Sequence, residues 1–448
     1  MIHPPENVFQ IAHRLRRAGF QAWLVGGAVR DSIMCREPHD WDIATNARPD
    51  AVVGLFDRVV ETGIKHGTVT VIIDGEPFEV TTFRGDGAYS DGRRPDSVTF
   101  LDTIEQDLAR RDFTINAIAY DPIAGTFADP YAGREDIEAS LLRAVGDPHA
   151  RFREDGLRML RAARFAAVLG FSTDQATWQA LGSELHMLNG LAAERIHDEW
   201  VKALGSAKPS MFFETLRGTG MLAPLCPEIV PLIGCEQNRW HAYDVYFHTM
   251  SVLDHSPPDP VIRLAAVFHD VSKPATKGIH PVTGDVTFYD HENVGAGVAD
   301  GILERMRFST EHRQKAVHLI RHHLIPYQPG WAAAAIRRWV RRVGSGNVAP
   351  LLQLARADVA GKGPAAIEMR TDALDELERR ISEMEIRAPI VTSTTALAIN
   401  GGDVMAELGI GPGKQVGEAL KMLLECVTEA PELNTRDSLL AVLRSVTP

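Results

Sequence analysis

Strand-forming segments are confined to roughly the first third of this chain, and that asymmetry constrains the fold more than any other feature. Up to about residue 145, short apolar stretches such as AWLVGG and DWDIAT read as strands, and VTVIIDGEPFEVTTF reads as a hairpin turned at Asp74-Gly75. From Glu154 onward the pattern changes to Ala-, Leu- and Arg-rich segments of helical period, as in EDGLRMLRAARFAAVLG and ERIHDEWVKALG. The expectation is an α+β protein: an N-terminal head with a small mixed β-sheet, then an all-helical remainder. Pro- and Gly-containing stretches near Ser206–Pro209, Pro257–Pro260 and Gly361–Pro364 are the expected internal boundaries.

With 448 residues, 45% of them hydrophobic and 24% charged, the chain can build roughly three cored domains. No apolar run approaches the roughly 20 residues a bilayer crossing needs, and MIHPPENVFQ lacks the regions of a signal peptide, so no membrane and a cytoplasmic location are expected. Cys35, Cys226, Cys235 and Cys426 form no CxxC pair, which argues against a disulfide framework or a structural zinc. A net charge of −12 excludes a protein that coats nucleic acid indiscriminately. Basic islands remain. Between 140 and 165 stand Arg143, Arg151, Arg153, Arg158, Arg161 and Arg164 against Asp147, Glu154 and Asp155, and RRWVRR at 337–342 forms a second island.

In LVGGAVRD (24–31) an apolar strand runs into two glycines and a helix, a geometry suited to phosphate. Gly26 and Gly27 permit close backbone approach, and Arg30 adds a cationic fork. In HDWDIAT (39–45), Asp40 and Asp42 are two apart in an apparent strand and project from one face. Carboxylates so close repel each other unless a divalent cation such as Mg²⁺ lies between them.

With EVTTFRGDGAYSDGRRPDSVTFLDTIEQDLARRDFTINAIAY (79–120), the ordered motifs GGAVRD, DWD, RRDFTINA (110–117), EDGLR (154–158) and ERIHDEW (194–200) resemble the class II tRNA nucleotidyltransferases and their poly(A) polymerase relatives. The resemblance implies a nucleotidyltransferase head at 1–145, a nucleotide-selecting, RNA-binding helical neck at 146–240, an HD-type body at 241–361 and a tRNA-binding tail at 362–448. It implies addition of C, C and A to tRNA from CTP and ATP, with catalytic Mg²⁺ on Asp40 and Asp42. Gly27, Arg30 and Arg111 would meet the triphosphate, and Asp112 with Asn116 the ribose and neighbouring backbone. Asp155 and Arg158, at i and i+3 of one helix, would read the base edge, with Arg161 and Arg164 holding the nucleotide and Glu154 supporting the helix start. Glu79 is either a third carboxylate or a structural residue. His39 departs from the Gly or Lys common before the first aspartate, and the glycine-rich loop at 85–97 is the expected lever for switching base.

A second constellation lies further on: His248, His269-Asp270, His291, His322-His323 and Asp358. Neutral imidazoles with carboxylates suit a divalent or transition metal. The order His, His-Asp, Asp is similar to the HD phosphohydrolases, which implies a second metal on His248, His269, Asp270 and Asp358, with Lys273 at a phosphate and Ser272 in place of the usual glycine. The segment INGGDVMAELGIGPGKQVGEAL (399–420) resembles a tail found in HD-bearing members, whose turns would offer free N–H groups to RNA backbone. The residues leave three alternatives open: a poly(A) polymerase, a CC-only or A-only adding enzyme, and an HD phosphohydrolase with a nucleotide-binding head. Oligomeric state is not legible.

Overall fold

The computed structural model describes residues 2–38, 40–86, 98–237 and 242–446. His39 and most of the expected lever loop, 87–97, lie outside the described residues. The chain divides into two compact units, Met1–Val230 and Pro231–Pro448. None of the three Pro/Gly stretches marks that division: each lies within a unit, where it punctuates successive helices.

The first unit begins α1 (Glu6–Arg17), β1 (Trp23–Val25), α2 (Gly27–Ile33), β2 (Asp42–Thr45), α3 (Pro49–Leu55), β3 (Val59–Gly63), β4 (Thr68–Ile73) and β5 (Glu76–Thr82). β6 (Arg84–Asp86) and β7 (Val98–Phe100) pair with each other, and α4 (Ile104–Ala109), β8 (Ala119–Asp121), β9 (Thr126–Ala128) and α5 (Gly133–Glu138) follow. One mixed sheet runs β3-β4-β5-β2-β1-β8-β9, parallel only between β2 and β5. The predicted hairpin is β4–β5, with Asp74 and Gly75 both at positive φ (52° and 87°), the left-handed pair a two-residue turn requires. Val25, Ala44, Phe83, Leu108 and Ala117 pack under the sheet and fix the ends of β1 and β2.

Strands do not stop altogether after the head. β10 (Leu141–Leu142) pairs in parallel with β11 (Ser172–Thr173), bracketing α6 (Pro148–Glu154) and α7 (Leu157–Leu169). Next come α8 (Gln175–Ser183), α9 (Ala193–Leu204), α10 (Ser210–Thr219) and α11 (Leu222–Leu225). Trp200, Phe212 and Phe213, packed edge to face, fill the space between α9 and α10.

The second unit opens with α12 (Val245–His255), α13 (Pro260–Phe268) and α14 (Lys273–Thr276), followed by the hairpin β12 (Lys277–Ile279) and β13 (Val286–Phe288). α15 (His291–Arg305), α16 (Thr310–His322), α17 (Ala333–Val343), α18 (Val348–Gly361) and α19 (Pro364–Arg387) continue it. It ends in α20 (Gly401–Leu408), α21 (Lys414–Glu429) and α22 (Arg436–Val446), which enclose their own core around Val404, Leu423, Val427 and Leu439. Among the described residues no helix is long and apolar enough to cross a membrane.

Two segments singled out in the sequence are partly engaged within this unit. In the RRWVRR island three arginines are engaged: Arg337 donates to the carbonyls of Thr428 and Glu429, Arg338 pairs with Glu429, and Arg341 pairs with Glu425 at 2.5 Å. Guanidinium groups there satisfy the orphan carbonyls at the end of α21. At the start of α20, the Asn400 side chain accepts from the N–H groups of Gly402 and Asp403, and Asp403 returns a bond to the Asn400 N–H. That capping box uses the donors of the first of the two Gly-rich turns, whereas Gly413 precedes α21 with no side-chain cap.

Candidate functional site

β1 ends because Gly26 turns the chain at φ 76° into α2, a conformation that disfavours any other residue. A side chain there would also crowd the Arg111 guanidinium, 3.3 Å from an ideal Cβ, and the Asp42 carboxylate, 3.5 Å away. Asp42 opens β2 directly opposite Val25, the last residue of β1. Asp40 therefore precedes the strand rather than sharing it, because β1 ends before it could supply a partner. The two aspartates nonetheless line one cavity of about 820 Å³ together with Glu79. Burial pushes the Asp42 carboxyl up to about 6, reinforced by Glu79 and Asp40 and opposed by Arg111. Such a carboxylate gains from a bound cation, and Asp40, Asp42 and Glu79 are the oxygen donors that a hard divalent ion takes.

Asp42 also lines a second cavity, of about 490 Å³, with Gly27, Arg30, Arg111, Asp112, Asn116, Asp155, Arg158, Arg161 and Arg164. The structure thus gathers every head and neck residue predicted from sequence at one locus or the other. Inside it runs a continuous chain of bonds. Arg30 donates to the Asn116 side-chain oxygen (2.7 Å), Asn116 donates to Asp112 (3.1 Å), and Arg161 donates to the other Asp112 oxygen (2.7 Å). Burial alone would raise the Asp112 carboxyl, but Arg161 and the Asn116 bond outweigh it and hold it down at about 2. Asp112 and Asn116 are accordingly fixed before any ribose arrives.

The base-reading pair is built differently from the sequence expectation. Asp155 and Arg158 do not stand side by side on one helix, because α6 ends at Glu154 and α7 begins at Leu157. Asp155 makes that break, at φ −151° and ψ 108°, while Gly156 stays helical and lets the Met187 carbonyl pack where a Cβ would lie 2.2 Å from it. Asp155 caps α7 through the Leu157 N–H (2.9 Å) and pairs with Arg195 of α9 at 2.6 Å. Arg158 donates to Glu154 (2.6 Å) and to the carbonyls of Arg151 and Arg110. Glu154 therefore ends a helix rather than starting one, and serves as the acceptor that fixes Arg158.

Three residues with no assigned role complete the locus. Arg195 holds Asp155, and Glu199 accepts from Arg164; both sit in ERIHDEW, four apart on the face of α9 turned to α7. Phe165 lies under three guanidinium groups, with Arg30, Arg161 and Arg164 at 5.3, 5.3 and 3.9 Å from its ring centre. The spacing of Arg161, Arg164 and Phe165 along one helix was the available signal for that plate.

In the second unit, His248, His269 and Asp358 bring three donor atoms within 4.8 Å of one another, and Asp270, His291 and His323 do the same. All four predicted residues meet: His248 lies 3.1 Å from Asp358, and His269 lies 3.0 Å from Asp270. His291 and His323, noticed in the sequence but given no ligand role, join them. His269, His291 and His323 each turn Nδ1 to a backbone carbonyl, of Ala266, Phe288 and Ile320, at 2.8, 2.6 and 2.7 Å. That fixes the tautomer and aims Nε2 into the cluster, the usual support of a metal-binding histidine. Burial and then the neighbouring His269 push His323 down to about 3, so it stays a neutral imidazole. Burial opposes a charged His269, but Asp270 and Asp358 outweigh it and raise that residue. The donors fit a divalent or transition metal.

Lys273 is not free for phosphate: its ammonium lies 2.7 Å from Asp270 and donates to Gln237. Ser272, at φ −98°, needs no glycine, and its hydroxyl donates to the His291 carbonyl at 2.7 Å.

The strand-turn-helix glycines, the paired aspartates and the arginine-lined cavity define a nucleotidyltransferase head. Family models agree: residues 22–143 match the poly A polymerase head domain, 170–232 the RNA- and SrmB-binding site of polymerase A, 241–359 the HD domain, and 339–443 domain 2 of tRNA nucleotidyltransferase. In order along the chain, these are domains of the kinds found in tRNA nucleotidyltransferases and poly(A) polymerases, with an HD domain among them. It is 48% identical over 192 residues to the CCA-adding enzyme of Lactobacillus helveticus, covering 43% of this chain and 48% of that one. The Geobacillus thermodenitrificans CCA-adding enzyme is 47% identical over 218 residues, 49% of this chain and 54% of that one. These matches span about half the length of the curated relatives. The crystal structure of the Bacillus stearothermophilus CCA-adding enzyme in complex with CTP aligns over 99% of this chain and 98% of that one, at 29% identity and a TM-score of 0.72. A divalent metal is general to nucleotidyltransferases of this family.

Proposed function

We propose that this chain completes tRNA 3' ends in the cytoplasm, adding C, C and A from CTP and ATP without a template and releasing pyrophosphate. The observation that carries this reading is that Asp42 is a wall of both cavities, one acidic and one lined by arginines. The acidic cavity takes the RNA 3' hydroxyl and the arginine-lined one the nucleoside triphosphate, so attack on the α-phosphate occurs beside Asp42. Mg²⁺, held by Asp40 and Asp42, supplies activation of the hydroxyl and neutralisation of the triphosphate. Arg30 and Arg111 orient the phosphates, Asp112 and Asn116 the ribose, and Asp155 and Arg158 meet the Watson–Crick edge of C or A. Arg161 and Arg164 hold the nucleotide from the Phe165 side. The corresponding organisation is a head at 1–145, a neck at 146–240, an HD body at 241–361 and a tail at 362–448.

The similarity to a structure that holds CTP supports the choice of nucleotide. Incubating the full chain and Mg²⁺ with tRNA lacking CCA, and with CTP and ATP separately and together, tests the reading. Complete CCA ends are expected only with both nucleotides. Processive addition of ATP alone would indicate a poly(A) polymerase, and products halting at CC a CC-adding enzyme.

The buried histidine-aspartate cluster favours a second activity in the same chain. A divalent or transition metal held there would supply a hydroxide for hydrolysis of a phosphomonoester or 2',3'-cyclic phosphate at a damaged RNA end. Phosphate release from such an end, lost in His269→Ala, is the corresponding measurement.

A further inference from the structure

Arg110 and Arg111 both line the arginine-rich cavity of the head, and one buried carboxylate holds them both. Asp107 of α4 divides its oxygens between them. Oδ1 accepts from Nε and Nη2 of Arg110 at 3.1 and 3.0 Å, and Oδ2 accepts from Nη2 of Arg111 at 3.3 Å. Arg111 is held from its other side by the Asn116 carbonyl, 3.3 Å from Nη1. Arg110 hands the constraint on through its own carbonyl, which accepts from Arg158 at 3.0 Å. The carboxylate has its own fixed place. Its Oδ1 also accepts from the Arg84 N–H at 3.3 Å, and Ile104 and Leu108 of α4 pack with Val25 and Ala44 of the strands that carry the site. Burial alone would raise the Asp107 carboxyl, but Arg110 and then Arg111 outweigh it and hold it down.

We infer that Asp107 is a positioning residue for nucleotidyl transfer: one oxygen aims Arg111 at the triphosphate, and the other fixes the Arg110 carbonyl that steadies Arg158 at the base edge. The inference rests on the proposed nucleotidyltransferase reading of this cavity. Two features separate the role from that of an ordinary helical ion pair. Pairs three or four residues apart on an exposed helix contribute little, but here the carboxylate is buried and α4 ends at Ala109, so both arginines lie beyond the helix they are tied to. Charge balance is the second feature. One carboxylate faces two guanidinium groups, so the set stays cationic, and its longest contact is the one to Arg111. That guanidinium is oriented without being neutralised, as a group that must still meet a phosphate requires. Asp107 touches neither the nucleotide nor the metal in this scheme and acts only through the two arginines.

The test uses the full chain with Mg²⁺: equilibrium titration with CTP in the absence of RNA, and incorporation into tRNA lacking CCA. Asp107→Asn keeps the shape of the side chain and removes its charge. Kd for CTP and KM for CTP and ATP should each rise about tenfold, with kcat within about threefold of wild type. Misincorporation of UTP should increase through the Arg110 carbonyl. A double-mutant cycle with Arg111→Met distinguishes positioning from loosened packing: in that background Asp107→Asn should raise Kd by no more than about twofold, whereas a general structural effect would multiply in full. An unchanged Kd in a folded Asp107→Asn protein overturns the inference, as does an undiminished rise in the Arg111→Met background. Should Asp107→Asn not fold, Asp107→Glu keeps the charge and displaces the oxygens by one methylene, with the same expectations. Absence of incorporation by wild type, with the Kd difference retained, would leave the positioning role standing and refute the transfer reading.

Discussion

Arg195 of α9 grips the Asp155 carboxylate at 2.6 Å across the break between α6 and α7. The acceptor that would face the base is thus oriented from another helix as well as by the Leu157 N–H. Charge-assisted bonds of this kind are worth about 1.5–3 kcal/mol. Arg195→Ala should lower kcat/KM for CTP by roughly ten- to a hundredfold and increase misincorporation of UTP. Single-nucleotide incorporation assays read both, and unchanged discrimination would refute the positioning role.

The ring of Phe165 supports three arginines at the triphosphate cavity. Phe165→Leu keeps the apolar bulk but removes the π face, which is worth roughly 0.5–2 kcal/mol per desolvated contact. KM for ATP and CTP should both rise on the order of tenfold while the melting temperature changes little. A selective effect on one nucleotide would contradict a common supporting role.

Asp112 gives a pH signature. Its carboxyl is held at about 2 in the folded protein against an ordinary 3.8, so the stability it confers is fully present above about pH 4 and lost as pH falls through 2. The shift corresponds to on the order of 2 kcal/mol. Asp112→Asn should lower the urea midpoint at pH 7, and the gap from wild type should close as pH approaches 2. A gap independent of pH would mean that the Arg161 pair contributes nothing.

The two centres should be separable. Asp40→Ala with Asp42→Ala should abolish nucleotide incorporation and leave hydrolysis of a cyclic phosphate, and His269→Ala should do the reverse. Loss of both activities in either variant, with circular dichroism unchanged, would contradict two independent sites.

Much of this was legible in the sequence because it depends on short spacings. GGAVRD, DWD and RRD mark the head, and His-Asp with distant partners marks the second cluster. What escaped depends on packing between elements. The chain is extended at Asp155, next to a Gly156 against which the Met187 carbonyl packs from a segment some thirty residues away, and no local propensity encodes that contact. Arg195 and Glu199 become partners of Asp155 and Arg164 only once α9 docks on α7. His291 and His323 showed no spacing that tied them to Asp270 until α15 and α16 met.

All six arginines of the 140–165 island already hold a carboxylate: Asp136 and Asp174 for Arg143, Glu154 for Arg151 and Arg158, Glu184 for Arg153, Asp112 for Arg161, and Glu199 for Arg164. An incoming phosphate therefore meets guanidinium groups whose charge is already partly neutralised by the protein rather than a bare cationic face. The logarithm of affinity should then fall with the logarithm of salt less steeply than the number of arginines would suggest, because that neutralisation comes from the protein itself.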